Sequence, residues 1–248
     1  MRIATAAYDA EFFAAGASGA KRNIAAVLPL VVAELGAQPA TLIDVGCGAG
    51  AWVREFLDAG IDAVGWDGSW ALPSLVIPPE RFTPRDLEQP WSHERRFDLA
   101  VTIEVAEHLP SARGPGFVSD LCAISDAVLF SAAVPRQAGT HHVNLRWQSY
   151  WVGLFAGNGY GVIDCLRPAV WDRVPAVDWV IAQQCFLFRR GQDSRLAMPV
   201  DVVHPRSYLD ATRPHGLRQI GRELPGALRR SAQHRLGYVP VVDENSWS

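Results

Sequence analysis

At 248 residues the chain is long enough for one α/β domain with a complete core, and too short for two comfortable ones. Apolar residues make up 49% and charged residues 20%, as in a globular protein, and the net charge of −3 argues against a nucleic-acid backbone as main partner. No apolar run approaches the roughly 18–20 residues that span a bilayer, and the opening MRIATAAYDAEFF has early acids and no long apolar stretch, unlike a signal peptide.

The expected compartment is therefore the cytoplasm, with no membrane partner. Cys47, Cys122, Cys165 and Cys185 form no CxxC pair, which suits single buried thiols in a reducing compartment. In chain order, the first forty residues are Ala-rich and helix-prone, and Pro29 is expected to bend or interrupt the helix around Ile24 to Leu35. TLIDVG follows as a buried strand closed by glycines. Trp52, Val53, Phe56 and Leu57 then recur at helical spacing, with Gly60 as a stop.

Ile61 to Trp66 is predicted as a second strand ending at Asp67, and a Pro-rich stretch leads to Asp86-Leu87. Phe97 to Ile103 and Ala127 to Ala132 are further strands. The alternation predicts an α/β doubly wound sheet. Beyond it, Trp147, Tyr150, Trp151, Leu154 and Phe155 trace one apolar helix face, ended by Gly157 and Gly159. Tyr160 to Leu166 and Trp179 to Phe188 look β-like. About a dozen residues with Pro168 and Pro175 join them, too few for a crossover helix, so they are expected to pair antiparallel. The boundary is placed at residue 190, with 191–248 an extension packing on the 1–190 domain and partly mobile at its end.

Asp44-Val-Gly46-Cys47-Gly48-Ala-Gly50 sits between a strand and a helix. Glycines are needed there for positive φ and for close approach of a ligand to the main chain. Such a loop at the carboxyl edge of a parallel sheet is where nucleotides bind. Gly46-x-Gly48-x-x-Ala51 also satisfies the relaxed dinucleotide pattern, with Asp67 about 20 residues on, so an NAD-dependent oxidoreductase is a rival. Three acids favour S-adenosylmethionine (SAM) instead. Asp44 precedes the loop and suits an ammonium, Asp67 can accept two ribose hydroxyls, and Asp86 with apolar Leu87 can meet an adenine edge.

LIDVGCGAGAW, VGWDGS, RDLEQPW and FDLAVTIEVAEHLP together resemble the successive signatures of class I SAM-dependent methyltransferases. The resemblance implies a Rossmann-like seven-stranded mixed sheet with helices on both faces and an antiparallel closing pair. It implies SAM contacts from Asp44, Gly46, Cys47, Gly48, Gly50, Asp67, Gly68, Asp86, Leu87 and Glu104. It also places the Glu104–Leu109 loop beside the methyl-transfer centre. The later run SAAVPRQAGTHHVNLRWQSYWVGLFAGNGY, with VDWVIAQQCFLF and VVHPRSYL, is similar to bacterial methyltransferase-domain proteins of polysaccharide or natural-product pathways.

Methyl transfer needs an acceptor held in line and, for a hydroxyl, a base. Histidine suits that task, which points to His142 first and His141 second, after the fifth strand. Asn144 is expected to orient the acceptor, with Glu107, His108 and Tyr150 lining its site. Glu107 and His108 could equally cap the next helix and shape the SAM site, and Tyr150 and Trp151 could equally be core. Trp66, Trp70 and Trp91 are expected in the core, with Trp66 or Trp70 a candidate for adenine. Arg189, Arg190, Arg229 and Arg230 suit either an anionic acceptor or a solvated surface. No acidic cluster shows magnesium-ligand spacing, so no metal is expected. The expected enzyme is an O-methyltransferase, with N-methylation second, acting on a sugar or small metabolite. A homodimer and a non-catalytic SAM-binding partner protein are left open.

Overall fold

Short apolar runs in the first half of the chain become parallel strands. The computed structural model describes residues 10–91 and 95–212. It begins with helix α1 (Ala10–Leu35), strand β1 (Thr41–Val45), helix α2 (Ala51–Asp58), β2 (Asp62–Asp67), β3 (Phe82–Pro84) and β4 (Leu99–Ile103). Then come α3 (Gly114–Ile124), β5 (Ala127–Ser131), α4 (Gln148–Gly157), β6 (Tyr160–Ile163), α5 (Arg167–Val170), α6 (Trp179–Gln184), β7 (Phe186–Arg190) and α7 (Pro205–Thr212). The sheet has seven strands in the order β3-β2-β1-β4-β5-β7-β6. The first five are parallel, and β7 runs antiparallel to both β5 and β6.

Side chains alternate across a strand, so neighbours feed opposite cores. Leu42, Leu99, Val101, Ala127 and Leu129 pack with Val27 and Val31 of α1, Val53 and Phe56 of α2 and Ile181 of α6. Ile43, Ala100, Val128 and Phe130 face the other way, onto Phe117 and Leu121 of α3 and Trp151 and Phe155 of α4. Helices thus cover both faces, as expected for a sheet whose strands are apolar throughout. Trp66 and Trp91 lie in the second core with their rings edge to face. Cys47, Cys122 and Cys185 are buried and Cys165 half-buried, all as free thiols.

Three expectations are corrected. The helix at the start is not interrupted at Pro29, which lies inside α1. Val27 and Val31, both buried, hold the helix to the sheet on either side of the hydrogen bond that proline cannot make. Residues 179–184 are helix, not strand, and β7 begins only at Phe186. The apolar Trp179-Val-Ile-Ala run has β propensity, but tertiary contacts override it. Asp178 starts α6 while its side chain and backbone bond Asn23 of α1, at 2.8 Å and 3.0 Å. The connection between β6 and β7 therefore does hold helices, α5 and α6, each of only one or two turns. Proline at the first turn of α5 was its local signal.

The chain divides into a unit Met1–Ser207 and a second unit Tyr208–Ser248. The first unit reaches past residue 190 because the segment after β7 is tied down. Arg195 bridges to Ile163, its backbone N–H donating to the Val162 carbonyl at 2.8 Å. Arg167 forms a two-bonded pair with Asp164, at 2.8 Å and 2.6 Å, with both side chains fully buried. It also donates to the carbonyls of Val200 and Pro199. The far part of the extension, including Arg229 and Arg230, lies outside the described residues.

Candidate active site

Since β1 to β5 run in one direction, the loops at their carboxyl ends gather on one edge. The glycine loop follows β1 there. Gly46, Gly48 and Gly50 have φ of 85°, 55° and 88°, a region that favours glycine. The loop is held to β2 by the N–H groups of Gly46 and Cys47, which donate to the Trp66 carbonyl at 2.7 Å and 3.1 Å. A Cβ on Gly46 would collide with the methyls of Val105 from the loop after β4. The Cys47 thiol packs into the core against Gly65 and donates to the Gly48 carbonyl of the loop at 3.5 Å.

Asp67, at the end of β2, accepts the Gly48 N–H at 2.7 Å and the Gly68 N–H at 2.6 Å. Burial nevertheless pushes its carboxyl up, with those donors opposing. Asp44 is pushed up further, to about 8, first by burial and then by the neighbouring Asp67 charge. A buried and a half-buried acid at one loop, with no cation of the described residues offsetting Asp44, suit a ligand that brings its own positive charge. Asp86 follows β3 on the same edge, where Arg85 N–H donates to the Asp67 carbonyl at 2.7 Å. Asp86 is exposed and Leu87 buried. Arg113 pins this turn by donating to the Leu87 and Gln89 carbonyls at 3.0 Å and 3.1 Å. Trp70 packs over Gly68.

On the other side of Val105 the loop after β4 turns into Glu107 and His108. Glu104 has φ of 56°, an unfavourable conformation for a residue with a side chain, and its N–H donates to the Ser131 carbonyl and hydroxyl. Its carboxylate is taken up by Ser131 Oγ at 2.8 Å, Gln137 Nε2 at 2.7 Å and Gln184 Nε2 at 2.7 Å. That side chain, expected at the cofactor, braces the loops after β4 and β5 against α6. Glu107 is fully buried, and neither carboxylate oxygen meets a donor at hydrogen-bonding geometry. Burial and the Glu104 charge push it well above the carboxylate range. Leaving a buried polar group unsatisfied costs about 1–3 kcal/mol.

The loop after β5 returns to this point. The N–H groups of Val143 and Asn144 donate to the Glu107 carbonyl at 2.9 Å and 3.0 Å, and Asn144 Nδ2 donates to the Ala106 carbonyl at 3.1 Å. These bonds set His142 with Nε2 at 4.0 Å from Glu107 Oε1 and its ring edge to face with His108, centroids 5.0 Å apart. His142 Nδ1 lies 3.2 Å from the Gln137 carbonyl, so in the neutral ring Nδ1 donates and Nε2 carries the lone pair. Gly139 lets the imidazole lie directly on its Cα, where a Cβ would collide with the ring. His108 is held at about 4 by burial and by His142. His141 is exposed, with φ of 59°, and stands outside the Glu107, His108 and His142 group. Tyr150 is half-buried, with the Arg146 guanidinium 5.0 Å over its ring.

Sequence reasoning thus named most residues of the edge but missed Arg113, Ser131, Gln137 and Gln184. They act through others across 24 to 80 positions of chain, which no local spacing signals. Arg189 and Arg190 are tied to Glu34, Asp126 and Cys122 rather than to the edge.

A glycine loop and successive strand-end acids, on a sheet closed by an antiparallel strand, define the class I SAM-dependent methyltransferase fold. A profile described as a methyltransferase domain matches residues 17–157, more than half of the chain, and the chain belongs to that family. The fold is similar to that of DesVI from Streptomyces venezuelae, with TM-score 0.57 and 12% identity over 77% of this chain and 100% of that one. It is similar to SAM-bound CalS10, an amino pentose methyltransferase of Micromonospora echinaspora, with TM-score 0.56 and 14% identity over 74% and 97%. It also resembles magnesium protoporphyrin IX methyltransferase of Synechocystis with bound S-adenosylhomocysteine (SAH), with TM-score 0.52 and 17% identity over 70% and 84%. A comparison with curated proteins gives no match. Family membership decides between the two ligand classes that the glycine loop admits: the cofactor is SAM. Among the described residues no helix is long and apolar enough to cross a membrane.

Proposed function

We propose that the protein methylates a hydroxyl of a sugar or small metabolite in a bacterial biosynthetic pathway, with His142 as the base. SAM, when bound, supplies a methyl carbon made electrophilic by its sulfonium. The loop from Gly46 to Gly50 with Asp44 holds the methionine end, Asp67 and Gly68 the ribose, and Asp86 with Leu87 the adenine. Asn144 and Tyr150 border the acceptor with Glu107 and His108.

The observation that carries the reading is the fixed imidazole. The Gln137 carbonyl holds the Nδ1 proton, which leaves the Nε2 lone pair free to take a proton from an acceptor. A neutral amine attacks without losing its proton first, so a positioned base favours oxygen as acceptor. The loop of that base is bonded to Glu107, two residues beyond the Val105 whose methyls pack on Gly46, which supports an acceptor held between the base and the glycine loop. The SAM-bound amino pentose methyltransferase of like fold supports a sugar as acceptor. Free thiols fit a cytoplasmic site.

The test is turnover against a panel of hydroxylated sugars and metabolites, with mass spectrometry of the methylated product. His142→Ala should lower kcat by about 10²- to 10⁴-fold while calorimetric SAH affinity stays as in the parent. Unchanged turnover in that variant would remove His142 from the reaction.

A further inference from the structure

We propose that Glu107, His108 and His142 bind one divalent transition-metal ion of the zinc class, through the Glu107 carboxylate and one ring nitrogen of each histidine. The inference concerns the same site and rests on the methyltransferase reading, but it changes the role of His142, whose Nε2 would hold the ion instead of taking the proton directly.

The three ligand atoms already lie within 4.8 Å of one another. A tetrahedral ion with bonds of about 2.0–2.1 Å draws its ligands to roughly 3.4 Å, so small side-chain rotations close the set. Glu107 supplies the independent sign. It is fully buried, neither carboxylate oxygen meets a hydrogen-bond donor at bonding geometry, and one of those oxygens shares the cluster with the two imidazoles. Its Oε1 stands 4.0 Å from His142 Nε2, too far for a direct hydrogen bond and close to the span that a bridging ion would contract. A buried carboxylate is stable when paired or when it coordinates a metal.

The surroundings have the form of a prepared site. A metal-binding imidazole commonly donates its other N–H to a carbonyl, which fixes the ring. His142 Nδ1 does so at 3.2 Å to Gln137. Gln137 in turn bonds Glu104, which also holds Ser131 and Gln184. The Glu107 carbonyl holds the His142 loop through Val143 and Asn144. Two imidazoles and one carboxylate suit zinc, cobalt or iron rather than magnesium, which prefers oxygen. Three protein ligands leave a coordination position open, as in catalytic zinc sites. No metal is expected from the spacing of acids along the chain, since His142 lies 34 residues beyond His108 and only the fold brings the two together.

The full chain, stripped with a chelator and reloaded with Co²⁺, should retain one ion per chain by elemental analysis and show a visible d–d absorption band. Glu107→Gln and His142→Ala should each weaken Co²⁺ binding by about 100-fold or more. SAH titration of the same samples reports the fold and the cofactor site separately. Retention of no ion by the parent protein, or equal retention by both variants, overturns the proposal. Loss of SAH binding in the parent would instead overturn the methyltransferase reading.

Discussion

The two halves of the carboxyl edge are built by different means. On the side of β1, β2 and β3 the groups at the edge are mostly backbone, shaped by glycines and steadied by Asp67, and they lie within short stretches of chain. On the side of β4, β5 and β7 they are side chains, held by a network that joins Glu104, Ser131, Gln137 and Gln184. The first half depends on local conformation. The second depends on packing brought together from distant parts of the chain, including the segment after β7.

The largest expected effect tests that dependence. Arg167→Met should destabilise the protein by about 3–5 kcal/mol, because it leaves the Asp164 charge buried without its partner. It also removes the bonds to the Val200 and Pro199 carbonyls that tie residues 199–200 to α5. Urea unfolding measures the loss. SAH affinity of the folded fraction should stay near the parent value, since the glycine loop does not rest on this pair. Equal loss of stability and SAH affinity would join the two halves into one unit.

Gly46→Ala should do the opposite. The substitution needs a residue with a side chain at φ of 85° and drives its Cβ into Val105. SAH affinity is expected to fall by about 10- to 100-fold, equivalent to about 1.4–2.8 kcal/mol, read by calorimetry. An alanine that binds SAH as well as glycine does would show that the loop tolerates a Cβ and that Val105 yields.

The same contrast explains what the sequence made legible. Strands β1, β2, β4 and β5 were readable as short apolar runs, and the glycine loop with Asp44 and Asp67 as a spaced motif, because each is set by neighbours in the chain. The nature of 179–184 was hidden, since its helix is selected by bonds from Asp178 to Asn23 rather than by its own β-prone residues. Glu104 reads as a cofactor residue from its place in the motif, and the motif does not reveal that Gln184, 80 positions away, bonds its carboxylate. His142 ranks above His141 in the sequence through its neighbour Asn144, but residue type alone does not separate them. Only the bonds of Val143 and Asn144 to Glu107 turn one of them toward the cluster.

The smallest effect concerns a proton on the glycine-loop side. Burial and Asp67 raise the Asp44 carboxyl from 3.8 to about 8. Between those values the folded protein holds a proton that the unfolded chain has released, so raising the pH costs stability across that window, and the loss levels off above about 8. At pH 7 a group titrating near 8 is about nine-tenths protonated. An ammonium beside Asp44 favours the carboxylate, so SAH binding at pH 7 should release close to one proton. Calorimetry in buffers of different ionisation heats measures that number directly. Asp44→Asn should abolish the release and flatten the decline of apo-protein stability from pH 5 to 8, as followed by Tm. If the release persists in that variant, the proton comes from another buried acid, and Asp67, raised by the same burial, is the next group to replace.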